Sequence, residues 1–345
     1  KGSYDRIHPN DHVNMAQSTN DVIPTAGKLT VLTLLTPLLK ELDRLEESLF
    51  RKSEEFDDVI KMGRTQLQDA VPMRLGQTFH GYASMVSRDI RRLTEVSKEM
   101  YTVNLGGTAI GSSINVSSAY LHNVVPCLSS ITGYPLIQAE DLFDATENLD
   151  GFVSVSGAVK ACAVDLSKMC NDLRLLSSGP RTGLGEIHLP AMQNGSSIMP
   201  GKVNPVIPEV VTQVAFLIAG HDMTITMAAE AGQMELNAFE PVVFHNLFES
   251  LTALTAAVQT LTNHCITGIT ADRERCKALM EQSAGIATAL CPYIGYQKAA
   301  DIAKTALKTN RTVRELVLEQ KLMTASELNH VLDPYAMTEI SDSMK

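Results

Sequence analysis

VSGAVKACAVDLSKMCNDLRLL, residues 155–176, sets Val155, Val159, Cys162, Leu166, Met169, Leu173 and Leu176 at alternating spacings of four and three. On an α-helix these positions form one stripe, a coiled-coil-like seam held over three heptads. Working outward, the same rhythm returns in Leu35, Leu38, Leu42, Leu45 and Leu49, with Glu41, Asp43, Arg44, Glu46 and Glu47 on the other faces. It returns again in Tyr82, Val86, Ile90, Leu93, Val96 and Met100, and in Phe244, Leu247, Phe248, Leu251, Leu254, Val258 and Leu261. A further helix starts near Pro208 and uses Val210, Val211, Val214, Leu217, Ile218 and Ile225. Strand-like alternation is scarce. The pattern predicts an all-α fold, a bundle of long helices packed near-antiparallel or at about +20°. Residues 207–232 are apolar on almost every face, as expected of a buried helix. Central helices assembling into a multi-subunit bundle would bury it, which predicts an obligate homo-oligomer.

The chain has 345 residues, 44% of them hydrophobic, enough for a large core. Acidic residues outnumber basic ones by 39 to 29, for a net charge of -10. That balance argues against nucleic acid as a partner, because phosphate binding needs a basic footprint. It leaves room for a small anion, since a site can be locally positive within an acidic protein. The six cysteines form no C-x-x-C pair and fit no zinc spacing, so reduced thiols in a cytoplasmic protein are expected. No apolar run reads as a membrane span, and no signal peptide opens the chain.

Near Thr267 the composition shifts to shorter elements, with helix candidates at 272–282, 298–308 and 313–320 and with Asn310 and Thr324 as loop or cap residues. The expected organisation is a central long-helix domain over 1–267 and a small C-terminal helical domain over 268–345. The opening KGSYDRIHPN is a polar loop without an initiator Met. An N-terminal domain is therefore expected to be missing, with residues 1–18 as its remnant.

Three polar segments are each expected to feed a helix. They are Gln17–Asp21 before a helix near Pro24, Gly63–Asp69 before one near Arg74, and Gly195–Pro205 before Pro208 and Glu209. Helix N-termini expose unpaired N–H groups and the positive end of a dipole, so hydroxyls and amides there can grip carboxylates. Taken singly, Gln17–Asp21 reads as a cap rather than a site. The third segment carries two glycines, two prolines and Lys202, a composition that suits a flap more than packing. A serine beside a lysine can act as a general base if the cation lowers its pKa.

That third segment, GSSIMPGKVNP, resembles the signature of the aspartase/fumarase superfamily. Collinear matches accompany it: HPNDHVNMAQSTND (8–21), KMGRTQLQDAVP (61–72), NLGGTAIG (104–111) and NDLRLLSSGPRTGLGEI (171–187). Within the superfamily, KMGRTQ, CNDLRLLSSGP and MAAEAGQMELNAFEP resemble the ammonia-lyase branch more than class II fumarases, which usually carry Thr-His in place of Thr65-Gln66.

The resemblance implies a homotetramer with the long-helix fold of the superfamily, each site shared between three subunits. It implies β-elimination of ammonia from L-aspartate through an aci-carboxylate, with Ser196 as the general base. Ser197, Ser18 and Thr19 are then expected to hold the β-carboxylate. Lys202, Asn204 and Thr65 hold the α-carboxylate, and Asn20 and Gln66 face the amino group. His8, His12 and His188 are expected to be loop or supporting residues. No cofactor is required and no metal ligand set is expected, though a divalent cation could serve as activator. The family's N-terminal Gly-Thr-Ser-rich motif, which also contacts substrate, has no counterpart here. Two other readings stay open: a fumarate hydratase using the same base, and a non-catalytic helical oligomer or inactive fragment.

Overall fold

The structure, a computed structural model, describes residues 2–195 and 197–338. In chain order it contains α1 (Thr19–Glu55), β1 (Ile60–Thr65), β2 (Gln68–Arg74), α2 (Leu75–Val96), β3 (Thr102–Val103), α3 (Ser118–Thr132), β4 (Ile137–Gln138), α4 (Asp144–Glu147) and α5 (Asp150–Leu176). These are followed by β5 (Ile187–His188), α6 (Val206–Glu230), α7 (Glu240–His264), β6 (Thr270–Ala271), α8 (Arg273–Gln282), α9 (Cys291–Ile294), α10 (Tyr296–Thr309), α11 (Val313–Glu319), α12 (Ala325–Val331) and α13 (Pro334–Thr338). The all-α expectation holds. The short strands form three two-stranded pairs, β1–β2 and β5–β6 antiparallel and β3–β4 parallel.

The chain divides into two compact units. One comprises Lys1–Leu45, Met85–Cys170 and Val206–Leu261; the other comprises Glu46–Ser84, Asn171–Pro205 and Thr262–Lys345. The periodic stripes are the core. Every member of the α5 seam is buried, as are Leu35, Leu38, Leu42, Leu45 and Leu49 of α1 and Leu247, Leu251, Leu254, Val258 and Leu261 of α7. In the first unit Gly27 lets α7 approach, since a Cβ there would lie 2.4 Å from the Phe244 ring.

One helix start and one connecting segment differ from the sequence reading. The helix expected near Pro24 begins at Thr19, with Pro24 inside it. Proline lacks the N–H that would bond the carbonyl four residues back. That carbonyl belongs to Asn20, and the Asn104 side chain takes it instead, Nδ2 donating at 3.0 Å. The second helix begins at Leu75, as expected near Arg74, but the Gly63–Asp69 segment before it lies around the tip of the β1–β2 hairpin.

Helix α6 buries Val211, Ala215, Ile218 and Ile225. Its buried Asp222 is held by the Ser156 hydroxyl at 2.8 Å and by Lys160. The other side leaves Val210, Phe216, Leu217, Met223 and Met227 exposed, Phe216 at 69%. By length and composition alone α1 and α6 could each cross a membrane, contrary to the sequence reading. The buried leucine stripe of α1 and the ion-paired Asp222 of α6 are what core helices of a folded bundle show.

In the second unit the shorter helices close on a core of Met280, Ile286, Leu290, Ile302, Leu316, Val317 and Leu328, with Met62 of β1 among them. Asp272 caps α8, and Thr312–Glu315 and Thr324–Glu327 form capping boxes on α11 and α12. Asn310 ends α10 in the left-handed region, φ 55°.

Candidate active site

In the first unit, Ser18, Thr19 and Asn20 sit at the start of α1. The Ser18 hydroxyl accepts the Asn20 N–H at 3.2 Å, so Ser18 does act as a cap. Asn14, Gln17, Ser18, Thr19, Val22 and Ile23 line a cavity of 530 Å³. Asn20 is oriented from outside its own helix, Nδ2 donating to the Ala109 carbonyl at 2.6 Å. Its neighbour Asp21 is fully buried and accepts N–H groups from Ser18, Gly106 and Thr108, each at 3.0 Å. The NLGGTAIG segment is therefore a second wall of the Ser18–Asn20 patch. The sequence reading gave Asp21 and Asn104 no role. The run of glycines was the available signal, since Gly106 and Gly111 take φ of +96° and +97°, which side chains rarely adopt.

In the second unit, Thr65 and Gln66 stand at the hairpin tip. Thr65 pairs with Gln68, leaving Gln66 and Leu67 as a two-residue turn with φ of 52° and 61°. Both central residues have φ > 0, the type I′ pattern that favours Asn-Gly. Neither residue prefers it, so the turn holds backbone strain at an expected substrate contact. The hairpin base is anchored by charge. Glu186, with no exposed side-chain surface, receives Arg64 Nη1 at 2.9 and 3.0 Å and lies 3.5 Å from Lys61 Nζ. Burial pushes the Lys61 ammonium down from its usual range, partly countered by Glu186. Arg275 fixes the strand-side approach to Glu186, donating to the carbonyls of Gly183 at 2.8 Å and Leu184 at 2.9 Å. On the other strand Asp69 accepts the Ser283 hydroxyl at 2.6 Å.

Ser197, Lys202 and Asn204 lie on the Gly195–Pro205 loop. Ser196 lies outside the described residues. Lys202 N–H donates to the Met199 carbonyl at 3.1 Å, closing a turn. A Cβ on Gly195 would come 3.0 Å from the Lys202 carbonyl, so glycine lets the loop fold back on itself. The loop stands out from the surface, with Ile198 87% exposed and Ser197 and Lys202 exposed. Among the described residues no hydrogen bond joins this loop to Thr65 or Gln66. His8 and His12 serve their own turn: His8 Nδ1 accepts from Asn10 and Asp11, and His12 Nδ1 accepts from His8. His188 lies 3.5 Å from the Asp272 carboxylate.

Taken by itself, the first unit offers hydroxyls and an amide at a helix start, and the second offers a strained amide-bearing turn and a loop carrying Lys202, groups of the kind that hold carboxylates. The family model described as Lyase matches residues 2–220, and the one described as Fumarase C C-terminus matches 286–339. The chain is 49% identical to an aspartate ammonia-lyase from Bacillus sp, over 98% of this chain and 72% of that protein. It is 54% identical to one from Pseudomonas aeruginosa, over 98% and 71%. Among solved structures, the fumarate lyase:delta crystallin of Brucella melitensis bound to cobalt superposes with TM-score 0.95 at 51% identity, covering 98% of this chain and 74% of that one. The class II fumarase of Schistosoma mansoni does so with TM-score 0.88 at 34% identity, covering 96% and 73%. A collinear match at about half identity, together with a shared helical architecture, shows that this chain belongs to the aspartase/fumarase superfamily of lyases.

Proposed function

We propose that the chain catalyses the reversible elimination of ammonia from L-aspartate to give fumarate. The carrying observation is its similarity, at about half identity over 98% of its length, to proteins named aspartate ammonia-lyase. The geometry of Asn20 supports it. With Nδ2 committed to the Ala109 carbonyl, Oδ1 remains as an acceptor, and an ammonium group can only donate.

In the proposed reaction the Ser196 oxygen takes the Cβ proton. The electron pair moves into the β-carboxylate, forming an aci-carboxylate held by Ser197, Ser18 and Thr19. Collapse of that dianion forms the C=C bond, breaks the Cα–N bond and releases ammonia. Lys202, Asn204 and Thr65 hold the α-carboxylate, while Asn20 and Gln66 face the nitrogen. Donors aimed at developing charge are the largest general source of such acceleration. The chemistry calls for no organic cofactor, and a divalent cation enters the proposal as an activator.

The proposal includes a homotetramer with sites completed by neighbouring subunits. The exposed apolar residues of α6 support it, since a contiguous apolar surface of this kind is normally covered. Light scattering behind size exclusion tests the assembly. Ultraviolet detection of fumarate, from L-aspartate and L-malate in parallel, tests the reaction. Fumarate from aspartate alone is expected. Fumarate from malate alone would favour the hydratase reading that the likeness to the Schistosoma mansoni fumarase keeps open.

A further inference from the structure

We infer that Asp21 is a positioning residue that turns the Asn20 side chain toward the substrate amino group, an inference resting on the function proposed above. Asp21 is fully buried in the first turn of α1. One carboxylate oxygen accepts the Ser18 N–H, which ordinary capping explains. The other accepts the N–H groups of Gly106 and Thr108, 85 and 87 residues further along the chain. A buried carboxylate is costly unless several donors satisfy it, and here two of three come from this distant loop.

The loop is not relaxed. Thr108, a β-branched residue, holds φ 58°, and its buried hydroxyl has no hydrogen-bond partner among the described residues. Such a backbone persists only where its surroundings over-determine it. The strained loop brings two groups to Asn20. Ala109 takes the side-chain Nδ2 at 2.6 Å. Asn104, whose Nδ2 also donates to the Thr146 hydroxyl at 3.0 Å, takes the Asn20 carbonyl at 3.0 Å. Asp21 holds the loop, and the loop fixes which end of the Asn20 amide is free. An alanine at position 21 would remove both acceptor oxygens and release the loop, whereas an asparagine can keep its one oxygen on the Gly106 and Thr108 N–H groups.

The test compares two ligands in the full-length enzyme: L-aspartate, which carries the amino group, and succinate, which has the same carboxylates without it. KM for aspartate and Ki for succinate are measured for wild type, Asp21→Ala and Gly106→Ala, with calorimetric Kd for both ligands and circular dichroism as a folding check. Gly106→Ala leaves the carboxylate in place and forces a side chain into φ +96°, so the inference stays testable if Asp21→Ala does not fold. Aspartate binding is expected to weaken about 10- to 100-fold, the range for losing a hydrogen bond to a charged group, while succinate changes less than about twofold. Parallel weakening of both ligands, or no change in either, would overturn the inference. A wild-type enzyme that binds aspartate but forms no fumarate would refute the reaction and still leave the aspartate-to-succinate ratio to judge Asp21.

Discussion

Replacing Glu186 by Gln should destabilise the protein far more than replacing Lys61 by Met, although the two residues share one ion cluster. Glu186 has no exposed side-chain surface and faces two cations, Arg64 at 14% and Lys61 at 5% side-chain exposure. Removing the carboxylate's charge leaves both cations buried with no counter-charge in this cluster. Breaking a buried pair from one side costs about 3–5 kcal/mol, because the remaining charge keeps its desolvation penalty. Removing Lys61 is different. Arg64 still reaches both Glu186 oxygens, and burial already disfavours the Lys61 ammonium. The loss there should stay within about 1 kcal/mol. Scanning fluorimetry at pH 7.5 should show Tm falling by roughly 5–10 °C for Glu186→Gln and by less than about 2 °C for Lys61→Met. Equal shifts in the two variants, or a Glu186→Gln protein as stable as wild type, would refute the idea that the carboxylate holds the hairpin base.

Three further outcomes are expected. Glu240 is buried, and burial raises its carboxyl to about 7 against Lys28's opposing pull. A raised acid favours the protonated folded state, so stability is lost as pH climbs from about 4.5 to about 7. Glu240→Gln should therefore raise Tm at pH 8 and lose that advantage near pH 4; an effect independent of pH would contradict the assignment. Ser196→Ala should lower kcat by about 100-fold or more with the oligomer intact, and near-normal turnover would remove Ser196 as the base. Lys202→Ala should raise KM and lower kcat; if KM stayed unchanged, Lys202 would have a structural role only.

The helices were legible because their signal is local. A seam such as Val155–Leu176 repeats within one element, and burial followed it residue by residue. The β1–β2 hairpin was not legible, and its sequence explains why. Lys61 and Met62 are neighbours and both buried, which breaks the alternation a half-buried strand should show. The burial of Lys61 depends on Glu186, far along the chain, and the Gln66–Leu67 turn lacks the Asn-Gly signal. The start of α1 was masked for a similar reason, as Pro24 is tolerated through a donor on Asn104. Of the candidate site, the residue types and their motifs could be read directly from the sequence. The supports could not, because Asp21, Asn104 and Glu186 act through partners separated by dozens of residues.

The partnership of Pro24 with Asn104 also carries an evolutionary consequence. A proline at 24 leaves one carbonyl that only an outside donor can satisfy, and Asn104 supplies that donor. Lineages that drop the proline restore the helix's own bond and free position 104 from this duty. Lineages that drop the amide first leave the helix with a half-buried acceptor that has lost its donor. The two positions should therefore drift in a preferred order, proline before asparagine, and an alignment of relatives should show proline at 24 without an amide-bearing or other donor residue at 104 far less often than the reverse.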